Sequence, residues 1–193
     1  MAYMNRGKEE VSEYAKLSED LGFAAVVITM DTVKPVKIGD EVRLSTKDGK
    51  PRRGHKSTTK DIEWMKQQVS LPVVVKGIMG ADAARAAVNA GADALVVSNH
   101  GGRILDFNRA ALEALPEVVD AAGGKVPVLL DSGIRNGGDI IKALALGANG
   151  VARIFAILAE EMQRVMVMTG AARARDITNA ILFRDDWGGA RAL

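Results

Sequence analysis

The sequence predicts an α/β fold in which parallel strands alternate with helices, and three observations carry that prediction. One pattern recurs three times: an amphipathic helix, a glycine, then a short apolar run. It stands as VSEYAKLSEDLGFAAVVITMD around Gly22, ADAARAAVNAGADALVVSNHGG around Gly91 and GGDIIKALALGANGVARIF around Gly147. The runs AAVVITM and ALVVSN are continuous rather than alternating, as strands buried on both faces require. Finally, 20 glycines stand beside only two Trp, two Tyr and four Phe, a composition suited to aliphatic strands packed on helices.

In chain order, Val11, Tyr14, Leu17 and Leu21 fall at helical spacing and predict one buried face for the first helix. Gly22 follows it in the place where a left-handed residue ends a helix, and a strand is expected near 24–30. Residues 32–58 break the rhythm; they are basic and polar, with turn signals at Asp48-Gly49 and Arg53-Gly54. A loop that long is expected to be either a functional lid or a disordered insert. TTKDIEWMKQQV then predicts a helix with Trp64 as a packing residue, followed by a strand near 71–76. The next helix buries Ala84, Ala87 and Val88 and leads to a strand near 93–98. ALEALPEVVDAAGG and GGDIIKALA give two more helices, with strands near 126–131 and 149–155. Met162, Val165, Met166 and Met168 are expected in the core, ARDITNAILFR as a final helix, and Trp187 in packing.

All 193 residues are expected to form a single, partial domain carrying the long loop at about 32–58. Five full strands leave two architectures open. One is a doubly wound open sheet; the other is a (β/α) barrel lacking its first strands, since a complete barrel takes ~250 residues.

Composition narrows the function. A net charge of +2 gives no strong pull toward nucleic acid or an anionic membrane. The absence of cysteine removes disulfides, thiolate metal sites and thiol nucleophiles, and two histidines cannot build a histidine metal cage. No apolar run approaches the ~20 residues of a membrane span. The expected setting is cytoplasmic.

The polar residues crowd the C-terminal ends of the strands, the edge where parallel α/β folds bind ligands. Thr29 and Asp31 end one strand, Lys76 the next, and Ser98 to Arg103 a third. Asp131, Ser132, Gly133 and Arg135 end a fourth. Each has a plain structural reading as well. A single histidine there can bond a backbone carbonyl, Lys76 can extend to water, and Arg103 and Arg135 can pair with surface carboxylates. The glycines beside His100 favour a ligand, because they let one approach the backbone closely. The turn from Asp131 through Gly138 into a helix is a candidate phosphate cradle.

VVVKGIMGADAARAAVNAGADALVVSNHGGRILD followed by ALEALPEVVDAAGGKVPVLLDSGIRNGGDIIKALALGA resembles the C-terminal half of the FMN-dependent 2-hydroxy acid oxidases and dehydrogenases. That family includes glycolate oxidase, lactate oxidase and lactate monooxygenase. Ser-Asn-His-Gly-Gly-Arg with a following Asp and an upstream Lys-Gly is its specific signature. YMNRGKEE and VVITMDT are similar to the family's third and fourth barrel strands, so the match runs from residue 3 to about residue 150.

The resemblance implies a TIM-type (β/α) barrel lacking the first strands, FMN as cofactor, and oxidation of a small L-2-hydroxy acid of lactate or glycolate type. It implies His100 as the base that removes the substrate proton and Asp31 as the carboxylate orienting the imidazole. Arg103 would hold the substrate carboxylate and Tyr3 would touch substrate. Lys76 would place a cation near flavin N1, with Thr29 and Ser98 also on the flavin side. Asp131, Gly133, Arg135 and Arg153 would contact ribityl and phosphate.

This chain also departs from the family. Met1-Ala2 stands where the third strand carries a glutamine, and no arginine follows Asp31 before Arg43. Where the family's last strand ends in Gly-Arg for the phosphate, GANGVARIFA either places Ile154-Phe155 without a gap or keeps Arg153 after losing two residues. An alternative reading is therefore a barrel remnant that binds flavin weakly, or not at all, unless a partner chain completes it. An oligomer that covers the open edges is expected, with no nucleic acid, membrane or metal partner.

Overall fold

The computed structural model describes residues 1–32, 56–105, 107–151 and 156–182. Most of the long loop, with His55, lies outside these residues, as do Arg153 and Trp187. Among the described residues strands alternate with α-helices: β1 (Ala2–Tyr3), α1 (Lys8–Asp20), β2 (Val26–Thr29), α2 (Thr59–Gln68), β3 (Val73–Ile78) and α3 (Ala81–Asn89). They continue with β4 (Ala94–Val97), α4 (Ala111–Ala122), β5 (Val128–Leu130), α5 (Gly137–Ala145), β6 (Gly150–Val151) and α6 (Ala156–Thr169). Among the described residues no helix is long and apolar enough to cross a membrane.

All strand pairs are parallel, and the order β1-β2-β3-β4-β5-β6 follows the chain without reversal. A doubly wound sheet needs a reversal of strand order, so that alternative is excluded. Right-handed crossovers that always step in one direction place every helix on one face of the sheet. This is the wall of a TIM-type barrel.

The two faces of the sheet are therefore chemically distinct. Toward the helices, Ile28, Val73, Val75, Leu95, Val97 and Leu130 pack against Val11, Ile62, Met65, Ala84 and Leu115. On the opposite face Val74, Ala94 and Val96 form a smaller cluster with Val27 and Leu129. Because side chains alternate along a strand, this second face continues upward to Thr29, Lys76, Ser98 and Asp131. The polar residues legible at the strand ends thus belong to the concave side.

The helix–glycine–strand junctions carry the expected backbone, with φ of +72°, +90° and +98° at Gly22, Gly91 and Gly147. Three expectations need correction. In α1 only Val11 and Ala15 are buried, while Tyr14, Leu17 and Leu21 are about half exposed or more. The helix sits at the β1 edge of the sheet and has α2 as a neighbour on one flank, so its buried stripe is narrow. Met168 is exposed, although Met162, Val165 and Met166 do pack with Ile141 and Ile177. The final helix over 174–184 is replaced, among the described residues, by two 3-10 turns, Ala174–Asp176 and Asn179–Ile181. Ile177 and Thr178 between them are extended, which lets Ile177, Ile181 and Leu182 all reach that same cluster.

Candidate functional site

The ends of β1, β3 and β5 and the turn after β4 wall one cleft of about 290 Å³, with Tyr3, Lys76, His100, Arg103, Asp131 and Gly133 among its lining. In its wall His100 Nδ1 lies 3.0 Å from Asp31 Oδ1, just past the end of β2, both side chains largely buried. With Nδ1–H donating to the carboxylate, the proton-free nitrogen is Nε2, so the ring is set up as a base. The Tyr3 ring meets the His100 ring edge-on, with centroids 6.5 Å apart.

Asp31 reaches the histidine only because of the residue opposite it. Gly77 has φ of +102°, and a Cβ there would lie 2.7 Å from Asp31 Cβ. The β3–β4 register shifts at this glycine, between Lys76 and Ile78. Gly77→Ala is therefore expected to destabilise the protein by about 2 kcal/mol, through a left-handed alanine and a backbone-adjacent clash. It should also push Asp31 off His100. Urea unfolding, together with loss of a hydrogen-bonded His100 Nδ1–H resonance, checks both effects.

Lys76 does not extend to water. It is buried, its Nζ donates to Ser98 Oγ at 2.6 Å, and it pairs with Asp131 Oδ2 at 3.0 Å. Thr29 and Ser98 are fully buried behind the cleft wall, and Thr29 Oγ1 lies 3.9 Å from Met1 Sδ. Arg103 is exposed at the mouth, where its Nε donates to the His100 carbonyl at 3.0 Å. Arg135 is exposed and does not wall the cleft; its N–H donates to Asp139 Oδ2 in the turn before α5. The loop after β3 is clasped from behind by Arg109, which donates to the Met79 carbonyl at 2.6 Å and pairs with Glu117. The Arg109 hydrogen bond holds the Glu117 carboxyl below its ordinary value, against the opposing effect of burial.

Sequence reasoning reached Tyr3, Thr29, Asp31, Lys76, Ser98, His100, Arg103, Asp131 and Gly133, and the structure gathers these around one cleft. It did not reach the role of Gly77, visible only as half of a Lys-Gly pair. It named Ser132 at the strand end but gave it no role; the Ser132 Oγ accepts from Gly101 N–H at 3.0 Å and donates to Asp131 Oδ1 at 3.0 Å. A left-handed serine beside a glycine has no signature in sequence.

Comparison with known proteins bears on this cleft. A family model described as FMN-dependent dehydrogenase matches residues 41–184. The 2-hydroxyacid oxidase of Dictyostelium discoideum is 33% identical over 223 residues, covering 94% of this chain and 58% of the relative. Within that span the relative carries segments absent from this chain, whose whole length is 193 residues. The L-lactate oxidase of Nostoc sp. is 44% identical over 143 residues, covering 65% of this chain and 39% of the relative. Among solved structures, a flavocytochrome b2 variant with pyruvate bound matches with TM-score 0.82 at 28% identity, covering 93% of this chain and 53% of that one. The chain thus spans a little over half the length of proteins such as the Dictyostelium oxidase. With the model covering most of its residues and the barrel-wall topology agreeing, the chain belongs to the FMN-dependent dehydrogenase family.

Proposed function

We propose that this chain oxidises a small L-2-hydroxy acid, of lactate or glycolate type, to the 2-keto acid, with FMN as the electron acceptor. The observation that carries the reading is the His100–Asp31 pair at the cleft, with its Nε2 free of the carboxylate and Arg103 at the mouth. Similarity to a 2-hydroxyacid oxidase, an L-lactate oxidase and a pyruvate-bound flavocytochrome supports the substrate class.

The donor set fits FMN in kind. Lys76 uses two of its three N–H groups on Ser98 and Asp131, which leaves one for an acceptor in the cleft. Gly133, at φ of +81°, has open space where a Cβ would stand, so a ligand can approach its backbone. Lys76 would face the flavin ring, Asp131 the ribityl hydroxyls, and Gly133 with Arg135 the phosphate end. FMN, when bound, supplies the two-electron acceptor for the substrate C2 hydride equivalent. Arg103 then anchors the substrate carboxylate through its planar fork. His100 Nε2 takes the hydroxyl proton, and Asp31 stabilises the imidazolium that results. Tyr3, edge-on to the imidazole, closes the substrate side.

The cleft volume, about 290 Å³, stands at the low end of the ~300–1,000 Å³ usual for ligand sites, and the six described strands form an open wall rather than a closed barrel, so these residues enclose only part of a flavin. FMN is accordingly expected to bind in the micromolar range or weaker, about −8 kcal/mol or less favourable, and to dissociate on gel filtration. Fluorescence titration with FMN checks this. Nanomolar affinity would refute the partial-enclosure argument, and no binding at all would leave a family barrel wall without redox chemistry.

A further inference from the structure

Five polar contacts close a ring around the backbone of His100. Ser132 Oγ accepts from Gly101 N–H at 3.0 Å and donates to Asp131 Oδ1 at 3.0 Å. The second Asp131 oxygen pairs with Lys76 Nζ at 3.0 Å, and Lys76 donates to Ser98 Oγ at 2.6 Å. Ser98 Oγ in turn accepts from the His100 N–H at 3.1 Å. The two peptide N–H groups that flank the His100 Cα are therefore both tied down, one by Ser98 and the other by Ser132.

The backbone makes this informative. His100 and Ser132 have φ of +57° and +71°, a region that residues other than glycine rarely enter. Glycine would take the Ser132 conformation without steric cost, so what serine adds there is its hydroxyl. That hydroxyl joins the turn after β5 to the turn after β4.

We propose that Ser132 is a positioning residue for His100: through the Gly101 amide it sets the direction of the imidazole, and through Asp131 it couples that direction to the Lys76 ammonium. The proposal rests on the reading of His100 as the base, and its test separates the two. Ser132→Gly removes the hydroxyl while relieving the left-handed strain, so the variant is expected to fold and to melt close to the wild-type temperature. In the FMN-free chain, amide exchange at Gly101 should quicken by about tenfold, and the hydrogen-bonded Nδ1–H resonance of His100 should broaden or vanish. In the FMN-supplemented protein, flavin reduction at saturating lactate should fall by about tenfold or more, with KM little changed. Ser132→Ala should show the same exchange and rate defects with lower stability, because it keeps the Cβ in the left-handed region. Unchanged Gly101 exchange, or an unchanged Nδ1–H resonance in Ser132→Gly, overturns the proposal, as does a wild-type reduction rate accompanying a disrupted ring. If wild-type protein reduces no flavin while both FMN-free readouts respond, the functional reading fails and the Ser132–His100 coupling stands.

Discussion

His100→Gln is expected to slow the reduction of FMN by a 2-hydroxy acid by about a thousandfold, the scale on which a positioned general base acts. Glutamine keeps a polar group of similar reach but has no nitrogen that can accept a proton near neutral pH. The imidazole lies against Asp31 at 3.0 Å through Nδ1, which leaves Nε2 as the accepting atom. Asp31→Asn should cost less, about tenfold to a hundredfold, since an amide can still hold the ring but cannot stabilise it once charged. The two effects should not add, because Asp31 acts through His100. Stopped-flow absorbance of the flavin, with FMN in excess and oxygen excluded, measures each rate. A His100→Gln rate within tenfold of wild type would remove His100 from the chemistry.

Lys76→Met is expected to destabilise the fold by about 2–3 kcal/mol and to weaken FMN binding at the same time. Methionine fills nearly the same volume, so the loss is electrostatic rather than a cavity. It leaves the Asp131 carboxylate, 23% exposed, without its cation, and it strips Ser98 of a donor. Removing one member of a fully buried pair costs ~3–5 kcal/mol, and the partial exposure of Asp131 argues for the lower end or just beneath it. Asp131→Asn placed on top of Lys76→Met should recover much of the stability, since no unpaired charge then remains, without recovering FMN affinity. Urea denaturation of the single and double variants gives the first comparison, and FMN titration the second. Equal stability of Lys76→Met and wild type would show that the pair is not held in the way its geometry indicates.

The strand ends were legible because period and composition are local. A run such as VVVKG reads as a buried strand with a charge at its end, and VVSNHGG as a strand leading into a turn that admits a ligand. Helix existence was equally plain, but helix environment was not. Tyr14, Leu17 and Leu21 have helical spacing, yet which flank of α1 has a neighbour is a property of sheet position. The tail misled for a similar reason: ARDITNAILFR has helical composition, while extended residues at Ile177 and Thr178 serve the packing on α5 and α6.

By itself the sequence determined the alternation of strands and helices, the polar edge of the sheet, and the identity of the residues expected there. Each of these depends on the order of residues within a few positions, where side-chain spacing and backbone preference act directly. Only the tertiary structure decided that the strand order runs without reversal, which puts Thr29, Lys76, Ser98 and Asp131 on one concave face. It also decided that Gly77 is the space Asp31 needs, and that Ser132 ties the turn after β5 to His100. Those pairings join residues 46 and 31 positions apart in the chain, counted from Asp31 to Gly77 and from Gly101 to Ser132. Contacts at such separations exist only once the sheet has brought the strand ends together, and no local pattern encodes them.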